Sequence, residues 1–323
     1  MYDDIDDELK PWVEMLQSDR LEDRLVAVKT LQHMGDEEAI APLIEALQDE
    51  DTAVQKIAIT AIWELTNPMA VKPLMACLRS PDVEVREEAL SALKELISPD
   101  DLMMLLDALQ EDNFYMQLNV LILLRKIHDA QALPYVLPFF ESENEELREA
   151  AITTLRYLNQ VENCPPALAL MNDLAPKVRR EAALTLGYLQ DESVVELLSQ
   201  ALTSDPDWQV RRRSAQSLAL HKDVNSIPAL QQALSDEHWQ VRKFTARTLQ
   251  EVSDDRVIPA LIQCLTDEYS DIRRDAAIAL GNIGNPDVLN ALQQTLDDPD
   301  ADVRIFSQKA IDKIRDQQIT VNK

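Results

Sequence analysis

Arginine and aromatic residues recur in this chain at a spacing that suits a binding surface. Trp208-Gln209-Val210-Arg211-Arg212-Arg213 returns as Trp239-Gln240-Val241-Arg242-Lys243-Phe244, and Arg180, Arg247, Arg274, Tyr269 and His238 stand nearby. Indoles bury a large area on few rotatable bonds and guanidinium groups make charge-assisted hydrogen bonds, which is why both types dominate interaction hot spots. Bond-making chemistry has less support. The four histidines, His33, His128, His221 and His238, are far apart in sequence, so a His-rich metal site is not expected. No phosphate-cradling glycine loop, zinc spacing or nucleophile elbow occurs. The expectation is a partner-binding set, Arg180, Trp208, Arg212, Trp239, Lys243, Arg247, Arg274, Tyr269 and Trp63, with no catalytic residue, metal or cofactor assigned.

What positions these residues is an internal repeat. The position preceding the recurring cation falls at 23, 54, 85, 116, 147, 178, 210, 241, 272 and 303, every step being 31 residues except one of 32. The cation is Arg at 24, 86, 148, 179, 211, 242, 273 and 304, with Gln55 and Gln117 as exceptions. Such a period marks a stacked repeat architecture, ten units covering nearly the whole chain.

Each unit reads as two helices. Helix A, as in Ala39-Ile40-Ala41-Pro42-Leu43-Ile44-Glu45-Ala46-Leu47, carries a proline near its start in several units (Pro42, Pro73, Pro134, Pro228, Pro259), where a missing N–H costs little. A short acidic link follows. Asp51, Asp82, Asn113, Asn144, Asp207 and Asp300 then stand where a side-chain oxygen caps helix B. Within B, apolar residues recur at helical spacing, as in Val85, Ala89, Leu90, Leu93 and Leu96, and no strand-like alternation appears. Helix pairs that cannot bury their apolar stripes alone must stack. The fold expected is an all-α, right-handed α-solenoid of about ten two-helix repeats. It spans residues 10–315 as one domain, between an acidic segment at 1–9 and a polar tail at 316–323.

The run Asp82-Val83-Glu84-Val85-Arg86-Glu87-Glu88-Ala89-Leu90, after a Pro-containing A helix and an Asp-rich turn, resembles HEAT repeats of the short type also found in phycobilisome lyases. That resemblance implies a protein-binding solenoid and, as an alternative, a bilin lyase subunit or tetrapyrrole chaperone. Di-iron hydroxylases on similar repeats use His-Glu motifs, and no His-Glu dipeptide occurs here. DNA glycosylases on a related solenoid use a basic face, which the formal charge of −27 disfavours.

The acid is unevenly spread. Residues 1–160 hold 13 Lys and Arg against 33 Asp and Glu, a balance of −20, whereas residues 161–323 hold 18 against 25, a balance of −7. The second place after each repeat position is Arg180, Arg212, Lys243 and Arg274 in four consecutive units, so a basic stripe is expected within an acidic protein. The regular Arg one place earlier reads as structural, a cation bridging to the acidic links of its own or the adjacent unit. Helix B of unit four, Phe114–Leu124, is apolar on almost every side and is expected to have an additional partner surface, either a neighbouring unit or another protein.

An acidic start and the lack of a long apolar run suggest a cytoplasmic protein without membrane insertion. Cys77, Cys164 and Cys264 lie too far apart in the stack for disulfides, and Cys164, just before Pro165-Pro166, is the thiol expected to be accessible. The function expected is a non-enzymatic interaction scaffold, its inner, helix-B face binding proteins that carry an acidic segment and not nucleic acid. Bilin is the alternative ligand.

Overall fold

A computed structural model describes residues 6–321; the start of the acidic segment, residues 1–5, and the last two residues of the tail lie outside it. Among the described residues there are only helices and turns. The chain packs as two compact units. One extends to Phe139 and takes in Tyr157–Asn159; the other comprises Phe140–Arg156 and the chain from Gln160 onward.

In the first unit the B helices are Leu21–Met34, Thr52–Leu65, Val83–Leu96 and Phe114–Ile127; in the second they are Glu145–Leu155, Pro176–Leu186, Trp208–His221, Trp239–Thr248, Ser270–Ile283 and Ala301–Val321. Within each unit every B helix packs on the next, and the B helices other than Glu145–Leu155 pack on their own A helices. The repeat position explains why. Val54, Val85, Met116, Val178, Val210, Val241, Ile272 and Val303 are all essentially inaccessible, each burial contributing roughly 1.5–3 kcal/mol.

Capping sets the helix starts. Asp51, Asp82, Asn113, Asn144, Asp207 and Asp300 each accept a backbone N–H from two or three residues on. A second set of caps was not anticipated. Asp36, Asn67, Asp129, Asp223, Asp254 and Asn285 each cap a short 3-10 turn that leads into helix A. The A-helix prolines therefore stand just after that turn, as Pro228 does at the second residue of Ile227–Ala233. Three A helices are broken: Leu133–Val136, Pro165–Leu168 and Leu289–Gln294 each pass directly into 3-10 geometry.

Close approach of B helices needs small residues. A Cβ at Gly281 would lie 2.7 Å from the Cβ of Ala310, and one at Gly187 would lie 2.8 Å from Ser217 Oγ. In Phe114–Ile127, Met116, Val120, Leu121, Leu123 and Leu124 are buried and Tyr115 is exposed. The apolar character of that helix is thus largely taken up by burial.

Candidate partner-binding face

Two rows of side chains run along the B helices, and they do different work. The first is the Arg of each repeat position. Arg24, Arg148, Arg179, Arg211, Arg242 and Arg273 each grip an Asp in the next link, respectively Asp49, Asp173, Asp205, Asp236, Asp267 and Asp298, through paired N–H···O bonds of 2.6–3.1 Å. The remaining nitrogen donates to a carbonyl of the preceding link, such as Asp205 O at 3.0 Å from Arg211. One planar fork therefore ties two links and one helix together, which a lysine could not do. The expected ladder is present, and its acid comes from the following unit.

The exceptions obey the same logic. Gln55 and Gln117 keep only the inward bond, to Asp49 O at 2.6 Å and Glu111 O at 2.8 Å. Where those units would need an acid in the next link, the sequence has Ser80 and Ser142. The residue 25 places after Arg86 is the acid Glu111, but Arg79 holds that carboxylate at 2.8 Å, and Arg86 instead lies over the Tyr115 ring, 3.8 Å from its centre.

Hydrogen bonds donated to their carboxylate partners hold these six guanidinium groups above their ordinary value against the opposing effect of burial. Arg273 holds Asp298 below the ordinary carboxylate value. Burial pushes Asp173 up, but Arg148 and the Ala175 N–H outweigh it and leave the group depressed. A depressed carboxylate contributes stability that is complete above its unfolded value, near pH 4, and is lost as pH falls through the folded value. Urea unfolding midpoints are accordingly expected to be flat from pH 7 to about 5 and to fall steadily below about 4. A midpoint unchanged at pH 3 would show that the rungs are energetically silent.

The second row is the stripe one residue further on, and most of it is neutralised within the chain. Arg180 pairs with Asp207, Lys243 with Asp271, and Arg274 with Asp271 at 2.9 Å and Asp275 at 3.0 Å. Lys56 pairs with Glu84, and the polarity is reversed at Lys177 and Glu149, 3.7 Å apart. Arg212 differs. Its guanidinium sits 5.7 Å from the Trp208 ring centre and 5.5 Å from that of Phe244, and one Nη reaches Gln240 Oε1 at 3.5 Å. Nε is enclosed with no hydrogen-bond partner. Burial, then the adjacent charge of Arg213, holds its pKa below the ordinary value. Arg247 is exposed, and its side chain forms no ion pair or hydrogen bond among the described residues.

The indoles do not meet each other. Trp208 stacks on His238 with centroids 3.8 Å apart, and Trp239 on Tyr269 at 4.9 Å. Each ring of one repeat lies on a ring of the next, so Trp208 and Trp239 are half-buried and Tyr269 is exposed. Trp63, on Thr52–Leu65 of the first unit, is 43% exposed. The second unit thus brings together Arg180, Trp208, Arg212, Trp239, Lys243, Arg247, Tyr269 and Arg274 on consecutive B helices, and Trp63 belongs to the other unit.

The expectation for Cys164 is overturned. It is 3% exposed because its own N–H is anchored to Asp191 at 2.9 Å and the sulfur is turned inward before the two prolines. Burial pushes all three thiols up, Cys77 to about 11 and Cys264 to about 12. Native protein at pH 8 is expected to resist a thiol-specific reagent and to gain three labels only on unfolding, by mass spectrometry. Rapid native labelling of Cys164 would contradict its placement. Among the described residues no three His, Cys, Asp or Glu side chains cluster as a metal site would require, and no helix is long and apolar enough to cross a membrane.

Stacked helix pairs with a ladder between links define a helical-repeat solenoid. The family model for HEAT repeats matches residues 9–94, 41–116, 164–236 and 227–312, and the chain belongs to the HEAT-repeat family. No curated protein sequence matches it. Solved structures similar in fold include an engineered protein of the Northeast Structural Genomics Consortium (21% identity, 96% of this chain, 99% of that one, TM-score 0.55). The complex of Kap95p with RanGDP (14%, 95% of this chain and 50% of that one, TM-score 0.62) is another. A third is YibA of Escherichia coli (18%, 79% and 96%, TM-score 0.61).

Proposed function

We propose that this protein is a non-enzymatic interaction scaffold that binds a protein partner, through an acidic segment, on the B-helix face of its second unit. The observation that supports this most directly is the concentration of cation and aromatic residues there, from Arg180 to Arg274, in a chain of net charge −27. HEAT-repeat folds serve protein binding, and the similar fold of the Kap95p complex accords with that use. Acidic ligands would be repelled by the first half of the sequence and drawn to this face, which favours one docking orientation.

A photo-crosslinking residue at Gln209 or Gln240, against one at Gln231 on the A-helix side, tests the reading in the native cell. Crosslinks are expected from the B-face positions and should vanish on joint charge reversal of Arg212, Lys243 and Arg274. Crosslinks confined to Gln231, or indifferent to the reversals, would remove the face from consideration. The phycobilisome-lyase alternative has no observation of its own in its favour: Trp208 and Trp239, the indoles available to flank a chromophore, are already stacked on His238 and Tyr269.

A further inference from the structure

The second row follows a pairing rule between successive units. A stripe cation meets an acid either 28 residues on, as Lys56 meets Glu84 and Lys243 meets Asp271, or 27 residues on, as Arg180 meets Asp207; Arg274, the exception, pairs with Asp271 and Asp275 of its own helix. Even the reversed pair, Glu149 and Lys177, keeps the spacing of 28. For Arg212 the residue 28 places on is Gln240, whose amide oxygen is 3.5 Å away. The place that Asp207 fills for Arg180 is occupied, one repeat later, by His238, and the His238 ring is committed to Trp208 and to capping the Gln240 N–H. Neither acid place carries a carboxylate at this unit. Arg212 forms no ion pair among the described residues, although Arg180, Lys243 and Arg274 each do.

Such a cation is held at a cost. The rings of Trp208 and Phe244 on either side offset part of the desolvation by cation–π attraction, but a partly desolvated guanidinium still gains most from a carboxylate that uses its fork. The acids of the adjoining links are already taken: Asp207 is held by Arg180 and Asp236 by Arg211. What is missing is an anion from outside.

We propose that Arg212 is the seat for an Asp or Glu side chain of the bound acidic segment, which takes the acid place that Gln240 leaves neutral. The residue beside that carboxylate is apolar and lies against the Trp208–His238 stack. This rests on the reading of the B-helix face as the binding surface and assigns its charged anchor. Lys243 and Arg274 then contribute less than their formal charges suggest, because Asp271 and Asp275 already occupy them.

The test uses the full chain and a blocked, N-acetylated and C-amidated octapeptide of alternating Asp and Leu, with an Asn/Leu version as control. Tryptophan fluorescence and the Arg Nε–H resonances of labelled protein report binding. The Asp/Leu peptide is expected to bind saturably and to shift the Arg212 signal, and the control is not. Arg212→Gln removes the cation; Gln240→Glu leaves it in place but supplies the internal acid that other units have. Each is expected to weaken the peptide at least tenfold, the loss of one charge-assisted pair, with circular dichroism unchanged. Because Gln240→Glu fills a pairing place used elsewhere in the chain, it keeps the test valid if Arg212→Gln folds poorly.

Wild-type affinity in both variants would overturn the proposal. If charge reversal at Lys243 and Arg274 nevertheless abolished binding, the B-face reading would survive that failure. Binding that depends on Arg212 while native crosslinks map to the A-helix side would instead retain the seat and sink the wider reading. A single-stranded oligonucleotide or a phosphopeptide binding at Arg212, with no binding of the Asp/Leu peptide, also overturns it.

Discussion

Arg211→Ala is expected to lower the stability of the second unit by about 3–5 kcal/mol, the cost of breaking a buried ion pair from one side. The Arg211 side chain is 8% exposed and its partner Asp236 10%. Removing the fork leaves Asp236 without its two bonds of 2.7 and 3.0 Å, and Asp205 O without its donor at 3.0 Å. The informative companion is the double change Arg211→Gln with Asp236→Ser, which installs the combination the chain itself uses at Gln55 with Ser80 and at Gln117 with Ser142. It keeps the inward bond and removes both charges together, so more than half of the loss should return. Urea unfolding of the wild type, both single changes and the double change forms a cycle. If the double variant is no more stable than Arg211→Gln alone, the matched pairs are coincidence and not a rule of packing.

The second large effect is steric. Gly281→Leu should cost about 3 kcal/mol or more, at the upper end of what overpacking does to a close-packed contact. A Cβ there already meets Ala310 Cβ at 2.7 Å and Ala310 Cα at 2.9 Å, and backbone cannot swing aside as a long side chain would. The final helix, Ala301–Val321, should lose its seat on Ser270–Ile283, and its amide protons should exchange much faster while those of Glu145–Leu155 are unaffected. Gly35 provides the contrast. Its φ of 62° closes a helix in open space, and a methyl added there would meet nothing within 4 Å, so Gly35→Ala is expected to cost only about 1 kcal/mol of backbone strain. Equal effects at the two glycines would mean that helix approach is not what limits position 281.

The helix pairs, the caps of helix B and the Arg ladder were readable because each recurs along the sequence at one period, and chance resemblance averages out over many units. The 3-10 entry turns were missed although their signal is as regular: Asp36, Asn67, Asp129, Asp223, Asp254 and Asn285 cap them. The prolines that follow are the louder helix-start signal and masked them. The stripe was legible as a row of cations, but a row of cations does not show which are already neutralised. That depends on what lies 27 or 28 residues on, and Lys243 with Asp271 against Arg212 with Gln240 could have been compared by eye. Cys164 was misplaced because a residue before Pro-Pro reads as loop, whereas its inward turn is fixed by a distant carboxylate, Asp191.

The matched rungs bear on how this chain can change length. Arg followed by an acid and Gln followed by Ser act as two incompatible couplers, so a repeat can be copied or excised without harm only where the ends that become adjacent use the same coupler. The second unit, with five consecutive Arg–Asp rungs from Arg148 to Asp298, is a uniform tract in which such an event leaves every junction intact. In the first unit Arg and Gln alternate, and losing one repeat would set a charged fork against a serine. Growth and shortening of this array are thereby channelled toward the tract on which the binding face is proposed.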